Sequence, residues 1–148
     1  MLTRIGRTQK NAYAILGAEF LFILLPFIVS AIVFSYKGDY SKLLRIPEWS
    51  LAASVLIGQS LVKFISGMLA NRDSYKAHWE RVALAVSFLI VLGLVPSLII
   101  LCLVLLDGLA STGLMISQVF IFALAVAAFF AFGAGGEALM RLKRAPAD

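Results

Sequence analysis

Four long apolar runs limit what this chain can fold into. They cover about residues 12–36, 51–70, 82–106 and 113–138, and crossing a hydrocarbon core of about 30 Å takes roughly 20 helical residues. Membrane β-strands are about 10 residues long and alternate apolar with polar residues, which none of these runs does. Because helices then remain as the way to pair every backbone group inside lipid, we predict an all-α membrane protein. In this prediction, residues 1–148 form a single four-helix transmembrane domain with short loops.

Composition supports this prediction. The chain is 61% hydrophobic and 14% charged, whereas a soluble domain is about half apolar and about a quarter charged. The basic amino terminus and the apolar run behind it resemble a secretory signal. That run is longer than a signal's apolar region of about 7–15 residues, and no small-x-small cleavage site follows it. We therefore expect it to be retained as the first span.

Basic residues are unevenly divided between the two sides of the predicted bundle. Nine lie in the termini and the central connector: Arg4, Arg7, Lys10, Arg72, Lys76, Arg81, Arg141, Lys143 and Arg144. Three lie in the loops on the other side: Lys37, Lys42 and Arg45. The positive-inside bias predicts that both termini and the central connector are cytoplasmic. We expect the inner charges to contact anionic lipid headgroups rather than nucleic acid.

The second span carries a polar stripe. Gln59, Lys63 and Ser66 recur at helical spacing and share one face, and an ionisable residue inside a span is a functional hypothesis by default. Lys63 lies about seven residues, or roughly 10 Å, from the inner end, and Glu19 has a similar depth on the first span. Three interpretations follow: a structural Glu19–Lys63 pair, which we favour, a lysine that reaches the headgroups, and a role in conduction or gating.

The central connector, Asn71–Arg81, is too charged to enter the bilayer. We predict a docking surface for a cytosolic protein or for lipid, formed by Arg72, Lys76, His78 and Arg81. His78 is the only histidine of the chain and could sense pH, although an ordinary surface histidine is the more common case.

The fourth span contains a ladder of small residues at four-residue spacing: Ala123, Ala127, Ala131 and Gly135. Small residues let membrane helices approach closely, so the ladder predicts packing within one subunit or between subunits of a homo-oligomer. The nearby sequence Gly133-Ala134-Gly135-Gly136 predicts either helix packing or the end of the helix. On the third span, Gly93, Pro96 and Ser97 predict a kink or a close contact.

The sequence lacks the chemistry of an enzyme. It has no His, Asp or Glu cluster with metal-ligand spacing, no glycine-rich phosphate loop, and no nucleophile beside a base. Cys102 is the only cysteine, which excludes an intramolecular disulfide. We therefore expect no enzymatic activity and no cofactor. Two classes of function remain, a membrane sensor or anchor and an ion-conducting pore or small transporter.

Two segments carry a family resemblance: Leu25-Pro26-Phe27-Ile28-Val29-Ser30 and Cys102-Leu103-Val104-Leu105-Leu106. Together with the four spans and the charged connector, they resemble the RexB-type membrane proteins of phage exclusion. The layout is also similar to that of the four-span membrane subunit of the Kiwa anti-phage system. The latter resemblance implies a homo-oligomer bound to a cytosolic DNA-binding partner. Either one implies a defence component at the bacterial inner membrane that detects phage entry or depolarises the cell.

Overall fold

A computed structural model describes residues 2–38, 40–71, 79–107 and 111–144, with side chains over 13–38, 42–71, 79–107 and 111–140. Four helices are long and apolar enough to cross a membrane: Tyr13–Lys37, Glu48–Ala70, Trp79–Asp107 and Thr112–Met140. No strand occurs within the described ranges. The chain is an all-α, four-helix membrane protein, which confirms the fold predicted from the apolar runs.

Two of the four spans are interrupted by a π-helical turn. The first span belongs to α1 (Leu2–Lys37), which is followed by the short α2 (Tyr40–Leu43), and the second span is α3 (Glu48–Ala70). The third span consists of α4 (Trp79–Leu89), a π turn (Ile90–Leu94) and α5 (Val95–Asp107). The fourth consists of α6 (Thr112–Ala128), a π turn (Phe129–Gly133) and α7 (Ala134–Arg144).

The second span is the centre of the bundle. In its most apolar 18-residue window, 44% of the residues are buried, against 11%, 11% and 17% in the other three spans. The helix α3 contacts the first, third and fourth spans. The most polar span of the four is thus also the most buried. Its Lys63 and Ser50 find partners on neighbouring helices, whereas Ser54 and Ser60 bond to carbonyls of α3 itself.

The main core lies between the first, second and fourth spans. Its fully enclosed members include Leu16 on α1, Leu56 on α3 and Phe129 in the fourth-span π turn, each with 0% of its surface exposed. Phe129 also stacks against Phe20 of the first span, with ring centroids 6.5 Å apart. Aromatic and aliphatic packing of this kind supplies the dispersion contacts that hold helices together in lipid.

The third span joins this core at the close-contact point that its sequence predicts. A Cβ on Gly93 would lie 3.0 Å from Cδ1 of Ile57, so the glycine lets the third span pack tightly on α3. Pro96 lies two residues after the end of the π turn. A proline has no backbone N–H to donate, and its ring crowds the carbonyl four residues earlier. The buried Ser97 hydroxyl donates a 2.8 Å hydrogen bond to the Leu94 carbonyl, which gives that carbonyl a partner.

The Gly133–Gly136 segment is a packing element and not the end of a helix. The helix continues through it to Arg144, so the alternative prediction of a helix stop was wrong. Gly133 and Gly136 are buried whereas Gly135 is exposed. The buried glycines remove side chains where the fourth span meets its neighbours, and this close approach stabilises a helix that glycine would otherwise weaken.

Candidate functional site: a charged cluster beside an open furrow

Lys63 and Glu19 form the intramembrane pair expected from their matched depth. The Lys63 Nζ donates a 2.9 Å hydrogen bond to Oε1 of Glu19. The Lys63 side chain is 16% exposed and that of Glu19 is 35% exposed. The first of the three interpretations of Lys63 was a structural pair with Glu19. The structure shows the contact that this interpretation requires.

A second carboxylate, from Glu137 of α7, lies on the other side of the same ammonium. Its Oε2 is 3.7 Å from Lys63 Nζ, and its side chain is 15% exposed. Lys63 thus links three spans. The sequence did not indicate this role, because Glu137 precedes Arg141 by four residues and looks like part of an ordinary charged helix end. The available signal was its position directly after the glycines that bring α7 against α3.

Two glycines set the geometry of this cluster. A Cβ on Gly67 would lie 2.5 Å from the Gly136 carbonyl oxygen, and a Cβ on Gly136 would collide with the Lys63 carbonyl oxygen. The backbones of α3 and α7 therefore touch at this level. Since Glu137 follows Gly136 directly, the contact carries its carboxylate to the Lys63 ammonium.

An open furrow between the first and second spans is made of two grooves that share Val55. We call inner the groove toward the end of the spans that carries the termini, and outer the groove toward the loop that joins these two spans. The inner groove has a volume of about 610 Å³ and is lined by Glu19, Val55, Gly58, Gln59, Val62 and Lys63. The outer groove has a volume of about 170 Å³ and is mainly apolar, with Phe22, Pro26, Leu51 and Ala52 among its walls and Glu48 at one side. The furrow is thus polar in its inner half and apolar toward the outer end of the spans.

Three oxygen atoms along this furrow lack hydrogen-bond donors. They are Oε2 of Glu19, Oε1 of Gln59 and Oε2 of Glu48, and they are the buried side-chain polar atoms without a partner among the described residues. All three are acceptors. All three are enclosed by protein atoms and have almost no accessible surface, and an unpaired buried acceptor costs roughly 1–3 kcal/mol.

Only part of the predicted polar stripe lines this groove. Gln59 lines the inner groove with Lys63. Ser66 is half-buried one turn further along α3 and lies outside the set of groove residues. The stripe therefore divides into a groove-lining part and a part beyond it.

A second polar cluster, at the outer end, was not predicted. Gln118 of α6 is fully buried, donates a 2.6 Å hydrogen bond to the Leu44 carbonyl and accepts one of 3.5 Å from the Ser50 hydroxyl. Trp49 donates to the Leu43 carbonyl at 2.9 Å. These bonds fasten the outer loop to the bundle. The available signal was one amide inside an otherwise apolar run.

The predicted docking surface is described only in part. Arg81 is exposed on the first turns of α4, where a soluble partner or a lipid headgroup can reach it. Arg72, Lys76 and His78 lie outside the described residues. The use of this surface stays a prediction.

The small-residue ladder faces outward. Ala123, Ala127, Ala131 and Gly135 are all exposed, and a Cβ on Gly135 would meet no atom within 4 Å. A four-residue repeat drifts by about 40° per step around an ideal α-helix. The π turn Phe129–Gly133 lies inside the ladder, and its wider turn reduces this drift. Packing within the subunit instead uses residues such as Ala125 and Phe129, which are fully buried.

The cluster offers charge and hydrogen bonding. In the described parts of the chain, no three His, Cys, Asp or Glu side chains converge so that they could hold a metal ion. No protein-family model, curated protein or solved structure matches the chain significantly. The arrangement itself therefore carries the functional argument.

Proposed function

We propose that this protein is a non-enzymatic, homo-oligomeric inner-membrane protein that serves as the sensor or anchor subunit of a prokaryotic anti-phage system. In this proposal its subunits meet along the exposed ladder, and it signals to a cytosolic partner through the central connector. The observation that carries the proposal is the outward orientation of Ala123, Ala127, Ala131 and Gly135. Apolar surface alone does not drive association in lipid, whereas small residues that admit a second helix do.

Two further features support the signalling part of the proposal. Basic residues concentrate on the side that holds the termini and the connector, and Arg81 is exposed there. The resemblance to the Kiwa membrane subunit and to RexB-type proteins supports a role in defence. Lys63 couples the first, second and fourth spans, so a change in the membrane that moves one span would be felt by the others.

The oligomer is tested by the mass of the complex released gently from membranes. We expect more than one copy of the chain, and we expect Ala127→Ile to dissociate the complex because the larger side chain blocks close approach. Ala83→Ile is the matched control, since Ala83 is also exposed but lies on the third span. A wild-type monomer, or equal effects of the two substitutions, would contradict the proposal.

The cytosolic partner is tested by affinity capture from the same gentle extracts. A specific protein should accompany the wild-type chain and be lost with Arg81→Glu. Lys37→Glu serves as the control, because Lys37 is an exposed basic residue at the opposite end of the spans. Recovery of the same protein with both variants would argue against the connector as the docking surface.

A pore or small transporter is the second candidate, and the polar inner groove favours it. Gln59 and Lys63 line a groove that is open on one side, and several copies could turn these grooves toward a shared axis. Conductance across planar bilayers should then be measurable and should change with Lys63→Ala. A membrane that stays tight, or a leak that ignores this substitution, counts against the pore.

A further inference from the structure

We propose that the furrow between the first and second spans binds a long-chain quinone in its oxidised form. The ring would lie in the inner groove, where its carbonyl oxygens accept hydrogen bonds from Gln59 and Lys63, and the chain would lie in the outer groove. This inference goes beyond the proposed function and does not depend on it, because it concerns one subunit and a small molecule dissolved in the membrane.

Gln59 offers the inner groove a hydrogen-bond donor. Its Oε1 is enclosed by protein atoms, whereas its Nε2 is accessible and donates no hydrogen bond within the described ranges. The residue lines the inner groove, so the accessible end of its amide is the nitrogen, which carries two N–H donors. A ligand at this point therefore needs an acceptor.

Lys63 adds further donors but does not favour an anionic ligand. It lines the same groove, and its ammonium has three N–H donors. One of them bonds to Oε1 of Glu19 at 2.9 Å, while Oε2 of Glu137, at 3.7 Å, lies beyond hydrogen-bond distance. Because two carboxylates already face the ammonium, they would repel a further anion. A neutral acceptor such as a carbonyl oxygen meets no such repulsion.

The depth of Gln59 selects a molecule that dissolves in the hydrocarbon core. Gln59 lies about 16 Å from the inner end of α3 at 1.5 Å per residue, which is about halfway across a core of about 30 Å. Phospholipid headgroups lie outside this core, so they do not reach the amide. A long-chain quinone is neutral, dissolves in the core and carries carbonyl acceptors but no hydrogen-bond donor.

The outer groove supplies the site for the chain. Along α3 the walls change from Gln59 to Val55 and Leu51, a distance of about 12 Å at 1.5 Å per residue. Phe22 and Pro26 complete the apolar surface on the first span. Donors at one end and apolar walls beyond them therefore fit a ring with carbonyl groups that carries an aliphatic chain.

The glutamines of the chain provide the measurement. They are Gln9, Gln59 and Gln118, and their side-chain amides are labelled with ¹⁵N in protein held in nanodiscs. The probe 2-decyl-1,4-benzoquinone should shift the Gln59 resonance saturably. Gln118 is the internal control, because it is fully buried and its amide already donates to the Leu44 carbonyl.

Two matched probes isolate the carbonyl groups. Decylbenzene keeps the ring and the chain but has no hydrogen-bond acceptor, and decanoate keeps the chain but has an anionic head. We expect the quinone to bind at least about tenfold more tightly than either probe at equal mole fraction in the bilayer, because only the quinone accepts hydrogen bonds without bringing a charge.

Gln59→Leu removes one of the proposed donors. Quinones quench indole fluorescence on contact, so Val62→Trp, at an exposed position in the inner groove, reports binding when the Gln59 resonance is absent. In that background Gln59→Leu should weaken binding about fivefold or more. Ser66→Ala is the control and should leave the affinity unchanged, since Ser66 is on the same polar stripe but lines neither groove. Equal affinities of the two variants would contradict the role of Gln59.

Val55→Trp tests the position of the chain. Val55 lies where the two grooves meet, so a larger side chain there should block the furrow and abolish the saturable shift of the Gln59 resonance. Val95→Trp, at an exposed position on the third span, is the control and should retain the shift. Retained binding in both variants would contradict the proposed position.

Three results with the labelled protein would overturn the proposal. A Gln59 resonance that moves equally with decylbenzene, or that never saturates, would show that the carbonyl groups are not recognised. Tighter binding of decanoate would show that the groove selects an anionic head. An unchanged Gln59 resonance would exclude the site, and disulfide cross-linking of Gln59→Cys to a second copy, in a Cys102→Ser background, would then assign the furrow to a subunit interface.

Discussion

Lys63 and Glu19 are 44 residues apart in the sequence, yet the ammonium and the carboxylate meet at 2.9 Å. Glu137 approaches the same ammonium to 3.7 Å. A lysine inside a span is costly unless it is paired or reaches water. Here one lysine is shared by carboxylates from two other spans, which ties the inner half of the bundle together.

Replacing Lys63 with methionine should destabilise the fold by about 2 kcal/mol or more, because two partly buried carboxylates would lose their ammonium. The measurement is the unfolding midpoint in detergent. The same change at exposed Lys37 is the control and should have little effect. A double variant that also carries Glu19→Gln should lose less than the sum of the single losses. Additive losses would show that the pair contributes no coupling.

Alanine at Gly136 should be poorly tolerated. Its Cβ would collide with the Lys63 carbonyl oxygen, and overpacking of this kind costs about 1–3 kcal/mol. Gly135→Ala is a sharp control, because it adds the same methyl group one residue earlier, where nothing lies within 4 Å. Thermal unfolding of the two variants should therefore differ clearly. Equal midpoints would contradict the backbone contact between α3 and α7.

Gln118→Leu should loosen the outer loop. The substitution removes the donor to the Leu44 carbonyl and one partner of the Ser50 hydroxyl, at a cost of about 1–3 kcal/mol. Hydrogen exchange and proteolysis near Leu44 should both accelerate. Gln59→Leu is the comparison, since the Gln59 oxygen has no donor among the described residues. That variant should leave the outer loop unchanged.

The predicted orientation can be tested with a single introduced cysteine in a Cys102→Ser background. A cysteine at Tyr36, which is 93% exposed, should react with a membrane-impermeant maleimide in intact spheroplasts. A cysteine at exposed Arg81 should react only after the membrane is opened. The reverse pattern would place the termini outside and would contradict the orientation inferred from the basic residues.

Much of the fold was predictable because lipid imposes simple rules on the chain. Run length gave the four spans, and matched depth gave the partner of Lys63. Helical spacing identified the ladder but not the side of the helix on which it lies. That side depends on the position of Phe129 and its π turn in the core. No spacing rule within one helix indicates such a position.

The rest of the site depends on contacts between distant segments. Glu137 reaches Lys63 only because Gly67 and Gly136 let two helices touch, and these glycines are 69 positions apart. Gln118 closes on a loop carbonyl 74 positions earlier. Every residue has a backbone carbonyl. Matching side-chain types therefore could not identify Leu44 as the partner of Gln118. The furrow likewise follows from the separation of two helices, which no local pattern specifies.

The contact between Gly67 and Gly136 also has a consequence for how this sequence can diverge. The apolar residues that face lipid can exchange with one another almost freely, whereas a side chain at either glycine requires two backbones to separate. Distant relatives should therefore keep glycine at both positions while most of the surrounding residues change. A search for relatives that weighs these two positions together with Lys63 should distinguish true homologues from unrelated proteins that share only four apolar spans.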